Sequence, residues 1–306
     1  MNENRIKDVQ VVGLGQACVD YLGTIAAYPT EDEKVELADL QMRCGGPAST
    51  AMVTLSRLGI RTAFLGSISN DPFGVEILNN LQRERVDLSY LKITPGYTSQ
   101  FAFIAITKGS GKRTVFWHRG SVLPLEESDV DLQVFSNASI LHLDSLMVKA
   151  STEAARQAKE QHMTVVMDAG TMREGTRELL KFVDVLIASE TFAEPLVGSG
   201  APHRTALDAI RGLGPSQVVI TLGAKGSIGL DDHCIVRQKA FSIAAMDTTG
   251  AGDVYHGGYI YGLVQGWEMS QCMRFASAAA ALKCSEVGAQ AGIPNLGMIN
   301  KFMKDK

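Results

Sequence analysis

Apolar residues follow two alternating patterns along this chain, and together they predict an α/β fold. Short continuous apolar runs, such as 9–15 and 218–222, are bounded by glycine or polar residues, which is typical of strands buried on both faces. Between such runs lie segments like 47–58, in which apolar residues recur every three or four positions and predict a helix. Strand–helix alternation of this kind predicts a mostly parallel central sheet covered by helices on both faces, an α/β/α sandwich.

The other predicted elements continue the same alternation. Predicted strands cover 9–15, 62–66, 139–143, 164–167, 183–188 and 218–222. Predicted helices cover 47–58, 70–81, 150–161, 174–181 and 205–213. No internal repeat or low-complexity tract interrupts this order, so we expect one α/β domain over 1–306.

Two segments, 16–44 and 98–119, do not follow the strand–helix alternation. The first alternates apolar and charged residues without a clear helical period. The second resembles a hairpin with strands at 100–107 and 112–117 and a glycine-containing turn at 108–111. We expect both segments to form strands outside the main sheet, as a small β lid that excludes water from a site below it. An apolar outer face on this lid would pair two subunits into a homodimer.

Composition excludes several classes of protein. The 306 residues are 45% hydrophobic and 20% charged with a net charge of −4, which argues against a nucleic-acid binder because such proteins usually show a basic excess. The charged N-terminus does not resemble a secretory signal, and no apolar run approaches the roughly 20 residues of a membrane helix. The five cysteines are scattered, without disulfide or zinc spacing. We expect a cytoplasmic protein that acts on a small molecule and binds neither nucleic acid nor membrane.

The segment 247–253, Asp-Thr-Thr-Gly-Ala-Gly-Asp, carries the main candidate chemistry. Gly250 and Gly252 can adopt backbone angles closed to other residues, so their N–H groups can converge on an anion. A helix predicted just after them would add its free N–H groups and its positive dipole end. Asp253 would then take a proton from a hydroxyl while the loop receives negative charge. The alternative interpretation is a glycine-rich turn with Asp253 as a helix cap.

Two other glycine-rich segments match known motifs poorly. The segment 13–18, Gly-Leu-Gly-Gln-Ala-Cys, has Cys18 where a dinucleotide-binding fingerprint needs its third glycine. The segment 109–114 resembles the end of a P-loop, but Arg113 replaces the magnesium-binding Ser or Thr. A nicotinamide oxidoreductase using Gly13–Gly15 therefore remains only as a rival hypothesis, which NAD-dependent stabilisation without ATP turnover would favour.

A second segment, 44–51 (Cys-Gly-Gly-Pro-Ala-Ser-Thr-Ala), adds to the first. Together the two segments resemble the signatures of the ribokinase-like (PfkB) carbohydrate kinases. The likeness extends over 15–294 and includes the loops at 221–226 and 288–294. Within that family, the chain looks closest to the ketose and sulfofructose kinases.

The resemblance implies a ribokinase-like sandwich with ATP and Mg²⁺ as cofactors and a role for each matching residue. Asp253 would be the general base, and the anion hole would comprise Gly250, Ala251 and Gly252. The sugar would be held by Asp20, Gly45, Gly46, Thr50 and Asp144. The nucleotide would be held by Ser189, Thr221, Gly223, Gly226, Thr249, Ala281 and Cys284. Glu190 would reach Mg²⁺ through water, and Asp247 and Thr249 would help to enclose a monovalent cation such as K⁺.

Two positions depart from the family pattern. Thr50 stands where the family carries a sugar-binding asparagine, and Thr lacks the amide's paired donor and acceptor. Phe192 stands at the glutamate of the family's Asn-x-x-Glu motif, so Glu190 or Glu194 would have to serve in its place, although helix capping or a solvated face explains them equally well. We expect ATP-dependent phosphorylation of a sugar hydroxymethyl group, on a ketose, a furanose or a related derivative. The alternatives are a sugar and nucleotide sensor without catalysis, and a nucleoside kinase.

Overall fold

The computed structural model describes residues 8–109, 113–232 and 234–306, which form an α/β structure. Its strands are β1 Val11–Leu14, β2 Cys18–Ile25, β3 Asp39–Gly45, β4 Thr62–Leu65, β5 Ser67–Ile68, β6 Lys92–Ile93, β7 Phe101–Thr107, β8 Arg113–His118, β9 Ile140–Leu143, β10 Thr164–Ala169, β11 Val185–Ser189, β12 Gln217–Thr221, β13 Ser227–Leu230 and β14 Ile235–Gln238. Its helices are α1 Pro47–Arg57, α2 Pro72–Arg83, α3 Val148–Glu160, α4 Thr176–Leu180, α5 Glu194–Val197, α6 His203–Arg211, α7 Ala251–Val264, α8 Met269–Lys283 and α9 Leu296–Lys304.

The central sheet has eight strands in the order β14-β13-β12-β11-β10-β9-β1-β4. Six neighbouring strands, from β12 to β4, are parallel, and β13 and β14 continue the sheet antiparallel at one edge. The carboxyl ends of the parallel strands therefore meet at one edge of the molecule, where α/β proteins place their ligands.

Helices cover both faces of this sheet, because its strands bury alternate side chains in opposite directions. Val11 and Val166 belong to one hydrophobic cluster, which packs under α1, α7 and α8. Their neighbours Val12 and Val165 belong to the other cluster, on the side of α3 and α6. The predicted three-layer α/β/α sandwich with a mostly parallel sheet is confirmed.

The two irregular segments lie outside the central sheet and form a second sheet, the lid sheet, in the order β3-β2-β7-β8. Strand register assigns its residues to two faces, since residues paired across neighbouring strands point the same way. One face carries Asp20, Arg43, Ala102 and Trp117. The opposite face carries Tyr21, Met42, Phe103 and Phe116.

Most predicted elements agree with the structure to within a few residues, and the differences are local. The predicted helix at 174–181 is shortened to α4, because Gly175 takes a left-handed conformation at its start. The run 240–243 is irregular chain after β14. The turn predicted at 108–111 and the charged N-terminus both fall partly outside the described residues. Within the described ranges, no helix is long and apolar enough to cross a membrane.

Candidate active site

The loop before α7, which ends at Gly250, forms part of the candidate site. Gly250 has φ of 75°, and a Cβ there would lie 2.8 Å from Ala289, so both conformation and space require glycine. Gly252 does not adopt the special backbone angles expected for it. It is not among the described residues with positive φ, and a Cβ there would meet no atom within 4 Å. Only Gly250 uses the special backbone freedom of glycine, whereas Gly252 leaves open space beside the helix start.

Free amides accompany this open space. The N–H of Ala251 donates to the Thr248 carbonyl at 3.2 Å. Among the described residues, the N–H groups of Gly250, Gly252 and Asp253 have no hydrogen-bond acceptor. They lie at the positive end of the 14-residue helix α7, which is a favourable place for an anion. The amide of Ala251, in contrast, is already engaged within the loop.

Asp253 lies among other carboxylates. Burial raises its pKa to about 7; the charge of Asp168 adds to the effect, and His256 opposes it. Asp144 and Asp20 contribute smaller increases in the same direction. A carboxyl group that titrates near neutral pH is suited to accept and release a proton. Sequence reasoning missed Asp168, because nothing in the segment 164–169 distinguishes it from the polar end of any buried strand.

Asp144 and Asp20 occupy positions that nearby glycines leave free. Oδ2 of Asp144 accepts a hydrogen bond of 2.5 Å from the N–H of Gln16, and a Cβ at Gly15 would lie 2.1 Å from the same oxygen. A Cβ at Gly45 would lie 2.4 Å from Oδ2 of Asp20. Burial raises the pKa of Asp144 to about 7 and that of Asp20 to about 6. Such crowded carboxylates are stabilised by hydroxyl donors, which sugars supply.

Gly46 and Thr50 contact different parts of the protein. Gly46 has φ of 103°, and a Cβ there would lie 2.6 Å from the Gln16 carbonyl oxygen, so it holds α1 against the loop after β1. Thr50 is fully buried in α1, and its Oγ1 accepts a hydrogen bond of 3.3 Å from Gln290 Nε2. The hydroxyl of Thr50 therefore engages the loop before α9.

A cavity of about 470 Å³ lies on the other side of the α7 start. The residues predicted to hold the nucleotide include five that line it, namely Thr221, Gly223, Gly226, Ala281 and Cys284. Thr248, Ala251, Gly252 and the irregular run 240–243 also line it. Its small and apolar walls can receive a flat base, and Gly252 is one of its lining residues. Ser189 and Thr249 are not among the lining residues.

Ser189 and its neighbours form polar contacts outside the cavity. The hydroxyl of Ser189 donates to the Gly170 carbonyl at 2.9 Å. Glu190 lies 3.0 Å from His203 Nε2, a hydrogen bond that lowers the pKa of the Glu190 carboxyl. Phe192 is buried, with 1% of its surface exposed. Across the described ranges, no group of three or more His, Cys, Asp or Glu residues is arranged to hold a metal ion.

Asp247 links the loop before α7 to the loop after α8. Its Oδ1 accepts hydrogen bonds from the N–H of Thr249 at 2.9 Å and from the Thr249 hydroxyl at 2.7 Å. Its Oδ2 accepts a 2.8 Å bond from the N–H of Gly288. Two cationic residues that sequence reasoning missed reach the same loop. Lys283 Nζ lies 2.9 Å from the Asp247 carbonyl oxygen, and Arg113 of β8 donates to Thr249 Oγ1 at 3.0 Å.

The site brings together parallel strand ends, a glycine loop at a helix start and a buried carboxylate, Asp253. The family model described as pfkB family carbohydrate kinase matches residues 10–296. The chain belongs to this family, and it is a carbohydrate kinase.

Relatives of known name cover nearly the full length of the chain. It is 29% identical to the ribokinase of Haemophilus influenzae over 95% of this chain and 97% of that protein. It is 25% identical to an ATP-dependent 6-phosphofructokinase of Thermoanaerobacterium thermosaccharolyticum, over 97% of this chain and 94% of the relative. A solved structure of Arabidopsis thaliana ribokinase complexed with ribose and ATP superposes with a TM-score of 0.85 at 25% identity, over 97% of this chain and 99% of that chain.

Proposed function

We propose that this protein transfers the γ-phosphoryl group of ATP to a hydroxymethyl group of a ketose, a furanose or a related sugar derivative, with Asp253 as the general base. The observation that carries the proposal is the position of the α7 start. Gly252, whose amide has no acceptor among the described residues, is one of the residues that line the 470 Å³ cavity, while the neighbouring Asp253 interacts with the carboxylates Asp20 and Asp144. The transferred phosphoryl group of ATP and the sugar hydroxyl would therefore meet at the start of α7.

The reaction follows from this placement. Asp253 accepts the proton of the sugar hydroxyl as its oxygen attacks the γ-phosphorus. The bond between the γ-phosphorus and the bridging oxygen breaks, and ADP leaves with the electron pair. The amides of Gly250 and Gly252, with the positive end of α7, stabilise the charge on the transferring group. Because the Ala251 amide already binds Thr248, its contribution requires that bond to open.

ATP would occupy the cavity between the 221–226 loop and α8. Thr221, Gly223 and Gly226 would contact it from one side, and Ala281 and Cys284 from the other. Mg²⁺ would enter bound to the triphosphate, where it disperses negative charge. Since Glu190 is paired with His203 and Phe192 is apolar, water and phosphate oxygens would supply most of its ligands, as Mg²⁺ often prefers.

The sugar would lie between the carboxylates and the lid sheet. Asp20 and Asp144 would accept hydroxyl hydrogens, and Gly45 and Gly46 would let the substrate approach the backbone. Trp117 shares the lid face with Asp20 and is 48% exposed, with the Arg119 guanidinium 5.2 Å from the centre of its ring. Thr50 would act through Gln290, because its hydroxyl faces that residue.

A catalytically inactive sensor is the second candidate. The observation that favours it is the buried Phe192 at the place of a family glutamate, beside a Glu190 that already has a partner. A sensor would bind both ATP and a sugar without releasing ADP. A nucleoside kinase has no comparable observation in its favour.

The lid sheet would also form a homodimer. Leu40, Met42 and Phe116 lie on its face opposite Asp20, and they are 54%, 43% and 52% exposed. Large exposed apolar side chains grouped on one sheet face are typical of an interaction surface. Pairing of two such faces would bury them and steady each lid over its site.

A screen of ADP release would test the function. Purified protein with Mg²⁺ and ATP would be offered ketohexoses, ribose, phosphorylated and sulfonated sugars, and nucleosides in a coupled assay. We expect turnover with at least one sugar carrying a free hydroxymethyl group, and turnover about 10²–10⁴-fold lower with the Asp253→Asn variant. Turnover only with nucleosides would contradict the sugar assignment, and binding of both ligands without ADP release would favour the sensor.

A further inference from the structure

The ammonium group of Lys283 is buried beneath the loop that leads to the anion site. Lys283 is the last residue of α8 and has no exposed surface. Its Nζ donates to the carbonyl oxygen of Asp247 at 2.9 Å and lies 3.9 Å from Oδ2 of the same residue. Burying an ammonium group is costly unless it is paired and hydrogen-bonded. This part of the fold is therefore arranged around a positive charge.

Asp247, which contacts the Lys283 ammonium, is hydrogen-bonded to two loops. Its carboxylate binds the N–H and hydroxyl of Thr249 on one side and the N–H of Gly288 on the other. Although burial acts to raise the pKa of Asp247, these hydrogen bonds and the Lys283 charge bring it below its usual value. The ionised carboxylate thereby connects the chain around 284–288 to Gly250, which itself packs on Ala289.

The resemblance to ribokinase-like kinases implies a monovalent cation between these same two loops. K⁺ is held where protein oxygens replace its hydration shell. Here both carboxylate oxygens of Asp247 receive N–H or O–H donors, and its carbonyl oxygen receives the Lys283 ammonium. The Lys283 charge already lies against these oxygens and would repel a second cation there, so these residues do not fit a K⁺ site as they stand.

We propose that the Lys283 ammonium is a built-in monovalent cation that replaces K⁺ and makes this protein independent of it. An ammonium group carries the same unit charge as K⁺ and offers three hydrogen-bond donors. Lys283 is a positioning residue, because it acts on the anion loop through Asp247 and has no contact with the cavity. The activity measurements that test this proposal rest on the proposed kinase function, whereas the melting measurements do not.

The wild-type protein gives the first test. Its melting temperature without ligands and its ADP release would be measured in KCl, NaCl and tetramethylammonium chloride at equal ionic strength. We expect melting temperatures within about 1 °C of one another, because no bound ion is taken up, and the same turnover in every salt. A higher melting temperature or faster turnover that K⁺ alone produces would overturn the proposal.

Two substitutions at Lys283 give the second test. Lys283→Ala removes the ammonium and leaves a cavity, whereas Lys283→Met removes the charge and fills most of the space. We expect both to lower the melting temperature by about 5–10 °C, as the loss of one partner of a buried ion pair does. We expect turnover to fall by about 10- to 100-fold as the anion loop shifts. K⁺, NH₄⁺ or ethylammonium should restore both quantities in Lys283→Ala but not in Lys283→Met.

The matched control is Lys301→Ala, which removes an exposed lysine from the last turn of α9 and should respond to no salt. A folded Lys283→Ala variant that no cation restores would overturn the proposal. If Lys283→Ala does not fold in any salt, the wild-type series decides alone. The melting measurements need no substrate, so a protein without turnover but with this cation pattern would contradict the kinase proposal and leave the Lys283 proposal standing.

Discussion

The two sides of the α7 start differ in the direction in which their surroundings shift the pKa of the carboxyl groups. On the side proposed for the sugar, Asp20, Asp144 and Asp253 are crowded together, and burial raises the pKa of each. On the nucleotide side, the cavity is lined mainly by glycine, alanine and other small or apolar residues. Asp247, next to the lining residue Thr248, is held below its usual pKa by donors and by Lys283.

This difference separates a reactive region from a supporting one. Carboxylates with raised pKa values lack sufficient hydrogen-bond donors of their own, so a substrate rich in hydroxyl groups improves their environment. On the side proposed for the nucleotide, Asp247 binds the donors of Thr249 and Gly288, and the amides of Gly250 and Gly252 have no acceptor among the described residues. We infer that the sugar side sets proton transfer and specificity, while the nucleotide side supplies a prearranged backbone.

The largest effect is expected from Asp253→Asn. The amide cannot accept the hydroxyl proton, and a positioned base commonly contributes about 10²–10⁴-fold, so kcat should fall by that order. The affinity for ATP should stay near normal, because the cavity is unchanged. The melting temperature at pH 8 should rise, since the variant no longer buries a carboxylate that is costly to ionise. Steady-state kinetics, calorimetric ATP titration and thermal melts would measure these three quantities.

Asp208→Asn is the matched control for that variant, because Asp208 lies exposed on α6, paired with Arg204. It should leave kcat unchanged. Near-normal turnover by a folded Asp253→Asn protein would exclude Asp253 as the base and would remove the distinction between the two sides.

The second prediction concerns Gly250→Ala, which tests the prearranged backbone. A side chain at φ of 75° is strained by about 1–2 kcal/mol, and its Cβ would also collide with the Ala289 backbone at 2.8 Å. We expect kcat to fall by about 10- to 100-fold, because displacement of the loop misplaces the amides. Stopped-flow and steady-state measurements of ADP release would show the loss.

Gly266→Ala is the control that separates the effect of backbone strain from the effect of a position in the loop before α7. Gly266 has φ of 71°, but a Cβ there would meet no atom within 4 Å, and it lies between α7 and α8 far along the chain from the loop. This variant should lose a similar amount of stability and keep its kcat. Equal loss of kcat in both variants would show that the Gly250 loop has no special place in catalysis.

Sequence alone predicted the side of the site that a single contiguous segment encodes. The segment 247–253 predicted the glycine turn, a helix start and the carboxylate, although α7 begins at Ala251, two residues before the start expected after Gly252. The apolar periodicity likewise predicted the layers, because each strand and helix carries its own pattern. Asp20 and the pair Gly45–Gly46 were identified through the resemblance of the chain to the ribokinase-like family.

What sequence could not predict depends on residues that are distant along the chain. Asp168 raises the pKa of Asp253 from another strand end, and nothing local marks it. Lys283 looks like an ordinary basic residue at a helix C-terminus, where it would usually be solvated, and only the fold places it against Asp247. Both Gly250 and Gly252 were expected to need the backbone freedom of glycine, and only Gly250 does, because Gly252 already lies within α7.

The third prediction is the pH dependence of kcat/KM, which tests the charge crowding itself. A base acts in its ionised form, so a pKa raised to about 7 should make activity fall about tenfold per pH unit below that value and level off above it. Asp168→Asn removes a like charge near Asp253, so the acid limb should move to lower pH. An acid limb near the ordinary aspartate value in the wild type, or one that Asp168→Asn moves upward, would contradict the proposed environment.

The smallest effect on activity is expected from separating the subunits. A Met42→Asp, Phe116→Asp double variant places charge on the exposed face of the lid sheet, and opposed carboxylates on paired faces repel. Light scattering coupled to size exclusion should show the mass fall from a dimer to the 32.9 kDa of one chain. Because this face points away from Asp20, kcat should change far less than in the Asp253 and Gly250 variants. Met298→Asp, at an exposed site on α9, should remain dimeric. A wild-type protein that is already monomeric at assay concentration would contradict the dimer and leave each lid to close over its own site unaided.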